Sequence, residues 1–148
     1  MKPQLRLGCA AVLLIGCLGL AGCTQGSSVA PDSEPIQVQA IAGSDLHRLV
    51  LTEQAASNLG IESVPVRDAT SPTGAITAVP MTAVIYDPTG VPWVYTSPAA
   101  RTFVRTRVVI SRTTSDTAYL SSGPSVGTGV VIIGASELLG SEYGVGGE

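Results

Sequence analysis

The stretch VPMTAVIYDPTGVPWVYTSPAARTFVRTRVVI, residues 79–110, decides the fold because extended segments alternate in it with strong turn signals. Residues 76–86 predict a strand that Pro80 interrupts, since proline cannot donate a hydrogen bond within a sheet. The tetrapeptide Asp87-Pro88-Thr89-Gly90 places Asp, Pro and Gly where a type I turn favours them. Residues 91–96 supply the second arm, so the stretch predicts a β-hairpin.

The next segment, residues 102–110, predicts a strand whose side chains separate by a period of two. One face carries Val104, Thr106, Val108 and Ile110. The opposite face carries Phe103, Arg105 and Arg107, in parity with Arg101. Two arginines in the middle of a strand favour a solvated face. The alternative is a docking face for an acidic partner, formed by Arg101, Phe103, Arg105 and Arg107, since arginine pairs well with carboxylates.

Trp93 and Tyr95 share one face of the second hairpin arm with Val91. Packing into the core against neighbouring strands is the first interpretation of this aromatic pair. An exposed aromatic contact surface is the second. Period-two alternation alone does not separate the two interpretations.

Towards the C-terminus, residues 117–121 predict a short strand. Residues 129–134, GVVIIG, are uniformly apolar and β-branched, which is typical of a strand buried on both faces. Residues 136–139 predict a single helical turn. The Gly-rich tail, residues 140–148, is expected to be loose.

Towards the N-terminus, residues 46–51 predict a strand and residues 53–59 a short helix. Thr52 is suited to cap the start of that helix, and Gly60 to follow its end. Residues 61–66 return to an extended pattern. Residues 68–74, DATSPTG, have the composition of a loop.

Short strands separated by turn signals about every ten residues indicate a mainly β fold. We therefore expect a small β-barrel or sandwich-like domain with one or two short helices. No internal repeat occurs in the sequence.

The first 23 residues, MKPQLRLGCAAVLLIGCLGLAGC, predict an export signal, since they have a basic start, an apolar middle and small residues before the expected cleavage site. The apolar run is short for a transmembrane helix, which needs about 20 apolar residues. A plain secretory signal, ending in an A-x-A-like site, is the other alternative. The ending Leu-Ala-Gly-Cys resembles the lipobox of bacterial lipoproteins. That resemblance implies cleavage between Gly22 and Cys23 and lipid attachment at Cys23, which places the chain on the extracytoplasmic face of the cell membrane.

Residues 24–43 are rich in Gly, Ser, Pro and Gln and are expected to form a flexible tether. A short edge strand at 36–39 is the alternative there. The expected organisation is a signal peptide at 1–22, a lipidated cysteine and tether at 23–43, and a β domain at 44–148.

Composition excludes several classes of function. The formal net charge is −3, and all acidic residues lie beyond Cys23, so loss of Lys2 and Arg6 leaves a more acidic chain. That balance argues against nucleic-acid binding. All three cysteines lie within residues 1–23, and His47 is the single histidine. With no nucleophile or phosphate-binding motif, we expect no enzymatic activity, no cofactor and no metal site.

Residues 79–110, and residues 119–145 with their G-x-x-x-G-x-x-V-V-x-x-G-like pattern, resemble the C-terminal part of periplasmic adaptor subunits of RND-type efflux pumps. These are the membrane fusion proteins, and the resemblance is to their heavy-metal-efflux branch. Residues 51–66, LTEQAASNLGIESVPV, resemble the segment that opens the mature adaptor domain.

A full adaptor carries a lipoyl-like domain and an α-helical hairpin between these two blocks, whereas residues 67–78 alone separate them here. The resemblance therefore implies a truncated adaptor that retains the membrane-proximal and part of the barrel region. The metal-binding methionines of copper adaptors have no counterparts.

The expected function is that of a lipid-anchored accessory protein of a membrane efflux transporter, acting by protein–protein contact. The alternatives are a free-standing surface lipoprotein that binds a small ligand or envelope component, and a relic of an adaptor.

Overall fold

The computed structural model describes residues 34–71 and 74–144, where the chain forms eleven strands, two α-helices and one 3-10 turn. The strands are β1 (Ile36–Ala40), β2 (His47–Leu51), β3 (Glu62–Pro65), β4 (Arg67–Ser71), β5 (Gly74–Pro80), β6 (Ile85–Tyr86), β7 (Pro92–Ala99), β8 (Thr102–Arg107), β9 (Val109–Thr113), β10 (Thr117–Ser122) and β11 (Gly129–Ile133). The helices are α1 (Glu53–Asn58) and α2 (Ala135–Glu142), and the 3-10 turn is Met81–Ala83.

The strands form two antiparallel sheets. The larger sheet has the order β1-β2-β8-β7-β11-β3, with β6 also paired to β7, and the smaller one has the order β4-β5-β10-β9. Neither sheet closes on itself. The prediction of a mainly β, sandwich-like domain with short helices is confirmed, and the barrel alternative is not.

Two buried valines mark the places where the chain passes from the larger sheet to the smaller one. Val66 separates β3 from β4, and Val108 separates β8 from β9. The Val66 N–H donates to the Thr128 carbonyl at 2.8 Å, and the Val108 N–H donates to the Pro92 carbonyl at 3.2 Å. Both junctions keep the backbone N–H of the valine hydrogen-bonded while they bury its apolar side chain.

The larger sheet is covered on both faces. The inter-sheet core lies between the two sheets and consists of Val66, Val79, Ala83, Val94, Val108, Ala118, Leu120 and Val130. The helix-side core lies between the larger sheet and the two helices and consists of Leu49, Leu51, Ala55, Ile85, Tyr95, Phe103, Val131, Ala135 and Leu138. The prediction of a doubly buried strand is confirmed for Val130 and Val131, which enter opposite cores, whereas Ile133 at the end of β11 is exposed.

Three local predictions are confirmed. The Gly90 N–H donates to the Asp87 carbonyl at 2.9 Å, which closes the predicted turn between β6 and β7. At α1, the Thr52 hydroxyl accepts from the Ala55 N–H at 3.2 Å, and Gly60 follows the helix with a φ of 59°. β5 ends at Pro80, because proline has no backbone N–H to donate to a neighbouring strand.

The boundary of the expected tether needs correction. β1 pairs with β2 along its whole length, from Ile36 opposite Leu51 to Ala40 opposite His47. The edge-strand alternative is therefore the right one, and the β domain begins before residue 44. The alternating pattern of β1 is short, but pairing with an apolar neighbour stabilises it.

The loop prediction for residues 68–74 is wrong for its first half. β4 pairs with β5 in a tight hairpin, with Arg67 opposite Ala78 and Ser71 opposite Gly74. Polar residues are tolerated there because β4 is the edge of the smaller sheet.

The C-terminal prediction is also wrong in part. α2 runs from Ala135 to Glu142, so the helix extends beyond the predicted turn at 136–139 into the tail that was expected to be loose. Leu138 is fully buried in the helix-side core, and Glu142 is anchored by the contacts described below. Tertiary packing thus overrides the low helix propensity of Gly140.

The predicted signal peptide, Gly22, Cys23 and the tether up to residue 33 lie outside the described residues. Among the described helices, none combines the length and the apolar character needed to cross a membrane.

Candidate functional site

The structure divides the predicted arginine face of β8. Phe103 and Arg105 are buried, with Arg105 only 7% exposed, whereas Arg101 and Arg107 are exposed. The prediction of a solvated face is therefore wrong for Phe103 and Arg105. The reason is that the helix side of the larger sheet is covered, so β8 has no fully wet face.

Arg105 is held by groups from α2 and from β7. One of its terminal nitrogens, Nη2, lies 3.3 Å from Glu142 Oε1, and the other, Nη1, donates to the Tyr143 hydroxyl at 2.9 Å. Its guanidinium lies 4.4 Å from the centroid of the Trp93 ring. An arginine in this position combines an ion pair with stacking on an aromatic face, which lysine reproduces poorly.

The Glu142 carboxylate is the centre of this cluster, and its side chain is only 2% exposed. The Tyr95 hydroxyl donates to Oε2 at 2.5 Å, and His47 Nδ1 lies 3.5 Å from Oε1. Burial raises the pKa of Tyr95 far above its usual value, and the hydrogen bond to Glu142 adds to that shift. Tyr95 therefore stays protonated as a donor. We call His47, Tyr95, Arg105, Glu142 and Tyr143 the α2 anchor.

The polar atoms of the α2 anchor are not all satisfied. Arg105 Nε is buried, and none of the described residues accepts a hydrogen bond from it. Glu142 Oε1 lies within ion-pair distance of Arg105 and His47 but meets hydrogen-bond geometry with neither. The contact between Arg105 and Glu142 is therefore an ion pair without a hydrogen bond at Oε1.

The hairpin turn connects to the same cluster through Trp93. The indole Nε1 donates to Asp87 Oδ2 at 3.0 Å, while Asp87 Oδ1 accepts from the backbone N–H groups of Thr89 and Val91. The Thr89 hydroxyl also donates to Oδ1, and these hydrogen bonds, led by that of the hydroxyl, hold the pKa of Asp87 well below its usual range. Trp93 therefore joins an exposed turn on one side to the buried arginine on the other.

Chemically, this arrangement is suited to fastening the end of α2 onto the larger sheet. Within the part of the chain that the structure describes, the Glu142 carboxylate contacts groups from β2, β7 and β8, of which His47 is the most exposed. Within residues 34–71 and 74–144 there is no group of three or more His, Cys, Asp or Glu side chains that could hold a metal ion.

Arg107, one of the two exposed arginines of this face, lines an open groove. This groove has a volume of about 490 Å³ and is lined by Tyr86, Gly90, Val91, Pro92, Arg107, Val108, Val109, Ile110 and Thr113. Tyr86 is 53% exposed and Val109 is 50% exposed. Aromatic and arginine side chains beside apolar ones are the composition that protein-binding surfaces favour. We call this surface the Arg107 groove.

A second, more polar cleft lies along the smaller sheet. It has a volume of about 290 Å³ and is lined by Asp68, Ile76, Thr77, Leu120, Ser121, Ser122, Gly123, Pro124, Ser125 and Val126. Hydroxyl groups and one carboxylate can bind a small polar ligand by hydrogen bonds. We call it the serine cleft.

Sequence reasoning missed most of the α2 anchor. Tyr95 was expected in the core or on a contact surface, and its burial confirms the core interpretation, whereas Trp93 is half-buried. Glu142 and Tyr143 belong to the stretch 140–148, for which the sequence predicts a loose tail. The sequence hint to their role is that an acidic and an aromatic residue stand inside a Gly-rich stretch. Nothing within that stretch, however, identifies Arg105 as their partner.

Comparison of the chain with protein-family models, with curated proteins and with solved structures found no match.

Proposed function

We propose that this chain is a lipid-anchored, extracytoplasmic accessory protein of a membrane transporter, related to efflux adaptors, and that it acts by protein contact through the Arg107 groove. In this proposal Cys23 carries the lipid that attaches the chain to the membrane. Burial of acyl chains contributes about 0.8 kcal/mol per CH₂, and two chains hold a protein stably where one does not. The β domain then works within reach of the membrane surface.

The observation that carries this proposal is the composition of the Arg107 groove. Its exposed tyrosine, its exposed valine and its arginine form one continuous surface next to the hairpin turn. The arginine selects an acidic group, since guanidinium and carboxylate pair in a fork geometry. The partner surface is therefore expected to present a carboxylate flanked by apolar side chains.

The folding of the two adaptor-like blocks into one domain supports the relationship to adaptors. β3 comes from the block at residues 51–66, and β11 comes from the block at residues 119–145. These strands pair, with Val64 opposite Val130. The short segment between the blocks forms the β4–β5 hairpin, where a full adaptor carries its additional domains.

A cross-linking experiment tests the contact. A photo-reactive amino acid at Tyr86, in the full-length chain in its native membrane, should capture a specific membrane transporter that mass spectrometry identifies. Arg107→Glu should abolish that capture, because like charges facing each other across an interface cost several kcal/mol. Arg101→Glu is the matched control, since Arg101 is exposed on β8's flanking turn and does not line the groove. Capture that survives Arg107→Glu would reject the groove as the contact.

The lipid attachment at Cys23 has a separate test. Cells that produce the chain are labelled with a fatty-acid probe, and the wild type should take up label while Cys23→Ala should not. An unlabelled wild type would contradict the lipid anchor without bearing on the groove.

The serine cleft favours a second candidate function, that of a free-standing lipoprotein that binds a small ligand or envelope component. Its hydroxyl groups converge with Asp68 on a space of about 290 Å³. If ligand screening stabilises the wild type but not Asp68→Ala, and Tyr86 captures no transporter, this second function is the correct one.

A further inference from the structure

Strand β1, at one edge of the larger sheet, supports an inference that goes beyond the proposed function. Four strands lie at the ends of the two sheet paths: β1, β3, β4 and β9. Natural edge strands are usually protected by charge, proline or bulges. β3 carries Glu62 and Pro65, β4 carries Arg67 and Asp68, and β9 carries Arg112. β1, with the sequence IQVQA, carries neither a charge nor a proline.

The hydrogen-bond register shows which groups of β1 point outward. The Thr52 N–H donates to the Pro35 carbonyl at 3.0 Å, and the Ile41 N–H donates to the Leu46 carbonyl at 3.1 Å. Hydrogen-bonded pairs alternate along an antiparallel ladder, so the odd-numbered residues of β1 bond to β2. The backbone groups of Ile36, Val38 and Ala40 therefore point away from the sheet. Among the described residues, no strand pairs with that side of β1.

We propose that β1 pairs with β1 of a second copy of this chain, antiparallel and centred on Val38. In that register Val38 lies opposite its own counterpart, and Ile36 lies opposite Ala40 of the other copy. All three outward-pointing residues then exchange backbone hydrogen bonds. The two larger sheets become one continuous sheet across a twofold axis, which is the commonest symmetry of soluble oligomers.

The side chains of β1 favour a second copy over another kind of partner. The sequence is nearly symmetric about Val38, so twofold pairing sets Gln37 opposite Gln39 on one face and apolar residues opposite each other on the other face. Val38 is 44% exposed, which leaves apolar surface for its counterpart to cover. The chain is acidic overall, and two acidic copies approach at least electrostatic cost through an edge that carries no charge.

A single engineered cysteine tests the twofold register. Directly opposite, hydrogen-bonded residues have Cα atoms about 5.5 Å apart, which lies within the range that a disulfide spans. Val38→Cys in the full-length chain, oxidised in its native membrane, should give a disulfide-linked species of twice the chain mass. Val126→Cys is the matched control, because Val126 is an exposed valine away from β1. Cys9, Cys17 and Cys23 are common to both variants, so their contribution cancels in the comparison.

We expect about tenfold more dimer from Val38→Cys than from Val126→Cys, because pairing raises the effective concentration of the two thiols. Equal yields, or a disulfide to a different polypeptide only, would overturn the proposal. Sedimentation of the purified full-length chain gives a second measurement. The wild type should dimerise, Val38→Lys should not, and a mixture of Val38→Lys with Val38→Glu should dimerise again. A wild type that stays monomeric at all concentrations would overturn the proposal.

Discussion

Arg105 and Arg107 occupy the same face of β8, yet they belong to two different regions of the molecule. Arg105 is buried in the α2 anchor against Glu142, whereas Arg107 is exposed and lines an open groove. Side chains two residues apart in a β-strand point to the same face, so the strand alone places both arginines together. What separates them is the end of α2, which lies over the first and not over the second. The comparison teaches that the covering element, and not the strand, decides whether an arginine serves folding or contact.

The largest effect is expected at the carboxylate that covers Arg105. Glu142→Ala leaves the arginine buried without its counter-charge, and breaking a buried pair in this way costs about 3–5 kcal/mol of unfolding free energy. Glu137→Ala removes an exposed carboxylate from the first turn of the same helix and should cost about 1 kcal/mol or less. Chemical denaturation of both variants measures the difference. A cost for Glu142→Ala no larger than that of its control would contradict the α2 anchor.

A smaller effect is expected in the core beneath that cluster. Val131 is fully buried in the helix-side core, and Val131→Ala should destabilise the domain by about 1–4 kcal/mol through lost burial and a cavity. Ile133→Ala, at the exposed end of the same strand, should cost less than about 0.5 kcal/mol. Ile132 is half-buried, so Ile132→Ala should fall between them. Thermal melting of the three variants checks the order, and a reversed order would mean that the faces of β11 are assigned wrongly.

The smallest effect is expected at the Asp87 turn, where the supporting hydrogen bonds are local and at least partly exposed. The pKa of Asp87 is lowered from its usual value of 3.8, so the ionised form stabilises the fold above about pH 4, and this contribution is lost as the pH falls below that value. The difference in melting temperature between wild type and Asp87→Asn should therefore shrink between pH 7 and pH 3. Asp45→Asn is the matched control. If the difference in melting temperature between wild type and Asp87→Asn stays constant with pH, the charge of Asp87 does not support the turn.

The features that the sequence predicted well depend on neighbouring residues. The turn at Asp87 and the cap at Thr52 are each encoded within a few positions, and the structure confirms both. The mainly β class was predictable for the same reason, because most strands carry a local pattern, either alternation or a short apolar run. The sequence did not distinguish a sandwich from a barrel, because closure of a sheet into a barrel depends on which strands pair.

The features that the sequence failed to predict depend on distant residues. Glu142 stabilises α2 through contacts with His47, Tyr95 and Arg105, all of which come much earlier in the chain. Local propensity around Gly140 argues against a helix. The contacts of Glu142 and the burial of Ala135 and Leu138 outweigh that preference. Neither partner of these contacts reveals the other in sequence.

The most direct measurement compares the unfolding free energies of Arg105→Ala and Arg107→Ala under identical conditions. If α2 divides the face of β8 as described, Arg105→Ala should cost about 3–5 kcal/mol, because the buried Glu142 carboxylate loses its buried cationic partner. Arg107→Ala should change stability by less than about 0.5 kcal/mol, because its side chain is exposed. Equal costs for the two variants would contradict the division of β8 into a buried anchor and an exposed contact surface.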